Sequence, residues 1–107
     1  MIKAIFQVGP DHAYRSFQLT GHADSVDEGY DLVCAGVSSL TLACVNALTE
    51  VAHHAPTQTA NSKDGGFLKI TSIDAGSDSQ VICQTLLNGL LDIQEQYGQY
   101  LQVKIKE

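Results

Sequence analysis

An α+β fold, with an antiparallel or mixed sheet of four to five strands and two helices packed on one of its faces in the order ββαβαβ, is what three features of the sequence predict. Two long stretches repeat apolar residues at steps of three and four, the mark of helices that bury one stripe. Shorter stretches alternate apolar and polar residues, as half-buried strands do. The chain has 107 residues and 44% hydrophobic content, enough for one ordinary core and too little for two. A single domain over residues 1–107 follows as the expectation.

Each element has its own signal. Residues 2–8 place Ile2, Ala4, Phe6 and Val8 on one face of a strand, and Tyr14 to Thr20 reads as its hairpin partner across the turn residues Gly9, Pro10 and Asp11. From Leu32 to about His53 a helical stripe runs through Val33, Val37, Leu40, Cys44, Leu48 and Val51, with Pro56 beyond it as a stop. Residues 56–61 offer an additional strand. Asp64, Gly65 and Gly66 form turn chemistry before a strand over Phe67 to Thr71, in which Phe67 and Thr71 face away from Leu68 and Ile70. Ser77, Asp78 or Ser79 can cap a second helix whose Ile82, Leu86, Leu90, Ile93 and Tyr97 step by three and four; Gly98 closes it, and Tyr100 to Lys106 is the last strand.

Composition narrows the function. Six Lys and Arg against twelve Asp and Glu give a net charge of -6, which opposes binding of free nucleic acid. No apolar run is expected to approach the roughly 18 residues of a membrane span, and the N-terminal residues lack a signal peptide's apolar block. A cytoplasmic protein with no membrane partner is therefore expected. Three cysteines at scattered positions, Cys34, Cys44 and Cys83, suit reduced thiols better than a disulfide framework. Gly65 and Gly66 have neither a following Lys nor a strand-to-helix setting, so no phosphate loop is read there. His22, Cys34, His53 and His54 lack the paired spacing of a zinc site, and no metal or cofactor is expected.

The segment joining the second strand to the first helix holds the chemistry. Residues 22–31 are small and charged, including Ala23, Asp24, Asp27, Glu28 and Gly29, and have little to bury, so an exposed and mobile loop is expected. Cys34 falls in the first turn of the helix as read, where free amides and the positive dipole end stabilise a thiolate and could receive an oxyanion. His22 lies twelve residues earlier, close enough for the loop to fold it back as a general base. These are the parts of a thiol hydrolase. On the residues alone Cys34 is equally a small core residue beside Val33, and His22 a packing or capping histidine. Cys44 and Cys83 read as core. Asp31 is either the helix N-cap or the group that orients His22. Ser38, one turn beyond Cys34, either bonds near the reacting pair or bonds back to the Cys34 carbonyl.

The blocks Gly21-His22-Ala23, Gly29, Asp31 and Val33-Cys34-Ala35-Gly36-Val37-Ser38 resemble the signature of the ribosomal-processing cysteine protease family, Prp, and the match runs over nearly the whole chain. The resemblance implies a cysteine endopeptidase with a Cys-His dyad, His22 as base and Cys34 as nucleophile, with Asp31 as the aspartate before the cysteine; Ser38 remains a candidate supporting residue by its helical spacing alone. It implies Gly21, Ala23 and Gly29 in a lid over the substrate, and homodimeric assembly. The implied substrate is the short N-terminal extension of a large-subunit ribosomal protein, cut after paired phenylalanines. Asp24 stands where the family often has a small flexible residue. Two other classes are weighed beside this one: a noncatalytic ribosome-assembly module, and a redox sensor in which Cys34 is resolved by Cys83, since Cys44 lies about 15 Å away along the helix.

Overall fold

In a computed structural model the chain runs β1 (Ile2–Val8), β2 (Tyr14–Thr20), α1 (Glu28–Glu50), β3 (Thr57–Asn61), β4 (Phe67–Thr71), α2 (Ser77–Tyr97) and β5 (Leu101–Lys106). The structure describes residues 1–21, 28–61 and 67–107. The strands form one mixed sheet in the order β3-β4-β2-β1-β5, antiparallel except for the parallel pair β1 and β5. The expected α+β class stands, with the order lengthened to ββαββαβ because residues 57–61 do pair with β4.

Strand alternation decides which face is covered. Ile2, Ala4 and Phe6 of β1 lie in register with Leu19 and Phe17 of β2 and with Leu101 of β5, and Ile70 of β4 extends the row. All are buried, together with Val33, Val37, Cys44, Val45 and Leu48 of α1 and Cys83, Leu86, Leu87 and Leu90 of α2. Both helices therefore cover the same face. Phe6 stacks on Phe17 at 5.3 Å between ring centroids and meets Tyr14 edge-on at 5.9 Å, pairings that add about 1 kcal/mol each beyond burial. Between the helices, a Cβ on Gly89 would stand 2.5 Å from Leu40 Cδ2, so the missing side chain is what lets α1 and α2 approach.

Helix α1 differs from its sequence reading at both ends. It starts at Glu28 rather than Leu32; Glu28 and Asp31 favour the positive helix end, and residues 28–31 are helix rather than loop. It ends at Glu50 rather than near His53, before Pro56 can act. The amides of Val51 and Ala52 both donate to the Ala47 carbonyl, the amide of His54 donates to Leu48, and His53 takes the left-handed conformation at φ 58°. Val51 consequently leaves the stripe and is exposed. Helix α2 is capped at Gly76, without a side-chain cap bond and not by Ser77, Asp78 or Ser79; Ser79 is buried instead.

The membrane reading also needs correction in its premise. Asp31–Glu50 is a 20-residue helical stretch with a mean hydropathy of 1.7, long and apolar enough to cross a membrane by length and composition. Its stripe is nevertheless committed to the core against the sheet and α2, which is what the central helix of a small domain does.

Cys83 is buried and its thiol is pushed up to about 12, first by burial and then by the neighbouring Cys44 and Asp74. Burial also raises Cys44. A thiol that holds its proton in the fold but loses it in the unfolded chain stabilises below the unfolded value of 9.0, and that contribution is lost as pH rises toward about 12. Urea unfolding followed over rising pH is expected to show stability declining above about pH 9, and Cys83→Ala to flatten that decline while lowering stability at neutral pH by about 1 kcal/mol.

Candidate active site

At the end of β2 the chain must leave the sheet, and Gly21 makes this possible. Its φ is 85°, and a Cβ there would collide with the carbonyl oxygen of Met1. Both the left-handed conformation and the contact demand glycine. The N-terminus is itself held, since the Ile2 amide donates to Tyr100 at 2.8 Å. His22 thus follows a residue fixed against β1. His22 and Ala23 lie outside the described residues, as do Asp24 and Asp27, and with them the distance from His22 to Cys34; Gly29, expected in the lid, instead belongs to helix α1.

On the other side of the connection stands Cys34, the seventh residue of α1. The first-turn placement therefore fails. In a helix beginning at Glu28 the orphan amides precede Asp31, and helical pairing gives the Cys34 amide to Tyr30. Cys34 lies about 9 Å along the axis, past the turn in which the dipole acts. Neither thiolate stabilisation nor oxyanion donors come from the start of α1. Asp31 is likewise not the N-cap but the fourth residue of the helix, exposed, one turn before Cys34.

Burial orders the thiols. None of the three is in a disulfide; Cys44 and Cys83 are buried, and Cys34 is half-buried against the edge of the core. At about 100° per residue, Asp31, Cys34 and Ser38 fall along the seam between the buried stripe and the exposed face of α1. Their side chains are thus supported from one side and reachable from the other. The Ser38 hydroxyl makes no back-bond to Cys34 among the described residues, unlike Thr85, which donates to Val81 at 2.8 Å. Thr41, the next residue along this side of the helix, was not singled out from sequence. Its hydroxyl is buried without a partner among the described residues, where the helical spacing alone gives no sign of it. The buried, strongly raised Cys83 also makes a poor resolving thiol, which weighs against the sensor reading.

Residues 1–102 match the family described as Cysteine protease Prp. The chain belongs to the Prp family, and it is a cysteine protease. The ribosomal processing cysteine protease Prp of Staphylococcus aureus is 35% identical over 89 residues, 82% of this chain and 83% of the relative. The Prp of Bacillus subtilis is 32% identical over 96% of each chain. Among solved structures, a protein of Streptococcus mutans superposes with a TM-score of 0.92 at 32% identity, covering 99% of this chain and 97% of that one. Staphylococcus aureus Prp in complex with a substrate peptide gives 0.82 at 30% identity, covering 99% and 100%. A further structure of it carries a covalently linked product peptide.

Gly21 gives the connection a direct test. Gly21→Ala is expected to lower stability by about 2 kcal/mol, from backbone strain and the collision with Met1. It should also depress proteolysis in the fraction that stays folded, because it displaces the residue before His22. Urea unfolding and turnover measured on the same sample check both; full activity at wild-type stability would show that the turn tolerates a side chain.

Proposed function

We propose that this member of the Prp family removes the short N-terminal extension of a large-subunit ribosomal protein in the cytoplasm, as one protease domain with Cys34 as nucleophile and His22 as general base. The observation that carries the reading is the placement of Cys34. It is the half-buried thiol on the seam of α1, while the other two are sealed in the core. The printed function of the relatives, ribosomal processing, supports the substrate class. The covalently linked product peptide on the Staphylococcus aureus relative supports a nucleophilic thiol.

In the proposed reaction His22 takes the Cys34 proton, and the thiolate adds to the scissile carbonyl carbon to give a tetrahedral oxyanion. The imidazolium then protonates the leaving amine as the C–N bond breaks, leaving a thioester on Cys34. Water, deprotonated by His22, hydrolyses the thioester and restores the thiol. Asp31, on the same side of α1 one turn before Cys34, is placed to orient the imidazole. The carboxylates Asp24 and Asp27 of the connection and Glu28 at the start of α1 suit the basic tail of a ribosomal protein.

The test is mass spectrometry of the host protein's N-terminal peptide after incubation with the enzyme. Cys34→Ala is expected to abolish cleavage while the domain stays folded, and Cys44→Ala to keep cleaving with about 1 kcal/mol less stability. His22→Ala should lower turnover by about two orders of magnitude and leave peptide binding nearly unchanged, since proton transfer alone is lost. Cleavage at the wild-type rate by Cys34→Ala would overturn the assignment. Equal losses of binding and turnover in His22→Ala would make that residue a ligand holder.

The exposed side of α1 supports a homodimer. Leu32 and Leu42 are 65% and 51% exposed; Ala35 and Ser39 lie between them on the same face, and Ala43 and Asn46 continue it. Small residues let two helices approach closely, and the point where a Cβ on Gly36 would stand is open space. A double substitution, Gly36→Arg with Leu42→Glu, is expected to convert a dimer into a folded monomer in sedimentation velocity. A wild-type protein that sediments as a monomer at high concentration would remove this part of the proposal.

A further inference from the structure

Within the helices and strands, the charges are sorted between the two layers. Helices α1 and α2 carry Glu28, Asp31, Glu50, Asp78, Asp92 and Glu95 and no Lys or Arg. The five strands carry Lys and Arg residues and no Asp or Glu. Four of the six cations of the chain, Lys3, Lys69, Lys104 and Lys106, alternate with the buried row and so point from the uncovered face of the sheet. Each of the four is exposed. None of them is in an ion pair among the described residues, where the salt bridge is Arg15 with Asp11.

The register shows how they are spread. Lys69, Gln18, Ile5 and Lys104 form one rung across β4, β2, β1 and β5. Ser16, Gln7 and Lys106 form the next, and Phe67, Thr20, Lys3 and Gln102 the one on the other side. Successive rungs lie about 7 Å apart along the strands, and Lys69 stands about 14 Å from Lys104 across three strand spacings. Between Lys69 and Lys106 the face dips into a depression of about 180 Å³ lined by Ile5, Gln7, Ser16 and Gln18.

We propose that this open sheet face is a docking surface for RNA, gripped through its phosphate backbone. Three considerations select RNA over a protein partner. The face lacks the apolar centre of a protein interface: apart from Ile5, and with Phe67 at the edge register position beside Thr20, its residues are lysines, glutamines, serines and threonines. These are the side chains that bond phosphate and sugar oxygens, in an interface that is characteristically polar and positive. The third is screening. The net charge of -6 argues against nucleic acid only if all charges act together. At physiological ionic strength the Debye length is about 8 Å, shorter than the roughly 10 Å between packed layers. An RNA strand on the sheet therefore meets the lysines at close range, while the helix carboxylates are largely screened from it. Four lysines without Arg forks or described stacking aromatics grip without reading sequence, and weak, salt-sensitive binding follows.

The surface lies on the side of the sheet opposite the helix that bears Cys34, and the inference stands on charge sorting alone, so its test is separable from proteolysis. A short oligouridylate is titrated into isotopically labelled protein at about 0.1 M salt, and amide shifts are followed by NMR. Shifts are expected along β1, β4 and β5 and not on α1. Affinity should fall with salt at a log–log slope of about -3, as about four single-strand phosphate contacts require, and the slope should drop to about -1 in the triple variant Lys69→Glu, Lys104→Glu, Lys106→Glu. That variant should bind at least about tenfold more weakly and cut peptide at the wild-type rate. No shifts with millimolar RNA, shifts confined to the helices, or undiminished binding by the triple variant would overturn the proposal. Binding of polyglutamate as tight as that of the oligouridylate would also overturn it, by assigning the face to an acidic protein.

Discussion

The covered face of the sheet sets everything else. Ile2, Ala4, Phe6, Phe17, Leu19, Ile70 and Leu101 make one continuous apolar surface, and both helices must lie on it because nothing else in a chain of this size can. That demand fixes the rotation of α1 about its own axis: Val33, Val37, Cys44, Val45 and Leu48 turn inward together. Cys34 is then carried to the seam by helical spacing. A shift of one residue in that phase would bury the thiol or strand it in solvent. The half-buried position of Cys34 is a by-product of core packing on a rigid helix.

The same packing separates one thiol from two chemically identical ones. Burial holds the proton on Cys44 and more firmly on Cys83, where a nearby thiol and Asp74 add to the effect. A buried thiol neither attacks nor oxidises readily. The domain can therefore use cysteine freely as a small core residue without offering competing nucleophiles. Because Cys34 lies beyond the first turn, its activation does not come from the helix end. The connection toward α1 leaves the sheet at Gly21, a residue locked by its backbone conformation and by Met1.

Charge follows the layers too. The helices present carboxylates and the sheet presents ammonium groups, so an acidic protein has a basic face. Processing enzymes that act on ribosomal proteins meet substrates that are basic where they contact RNA, and the two faces of this fold carry the two complementary charges. The exposed apolar side of α1 is the third distinct surface. On a domain this small, each of these surfaces belongs to a single element or layer.

Much of this was legible in the residues themselves. Alternation located four of the strands and the three-and-four spacing both helices, because burial of one face imposes those periods directly on the sequence; residues 57–61 were only offered as an additional strand and stood outside the expected order. The Gly-His-Ala and Cys-Ala-Gly-Val-Ser blocks pointed to the family, since their combined spacing is rarely met by chance. What the sequence could not decide was set by long-range packing. Helix α1 begins at Glu28 because residues 28–31 extend a helix already anchored on the sheet, and local composition there reads as loop. That start moves Cys34 out of the first turn and Asp31 off the cap. The clash of Gly21 with Met1 joins residues twenty positions apart, and the sorting of lysines to one face appears only when strands from both ends of the chain stand side by side. Periodicity is a local consequence of burial and survives in the sequence; phase, proximity and field belong to the assembled layers, and only the tertiary structure could decide them.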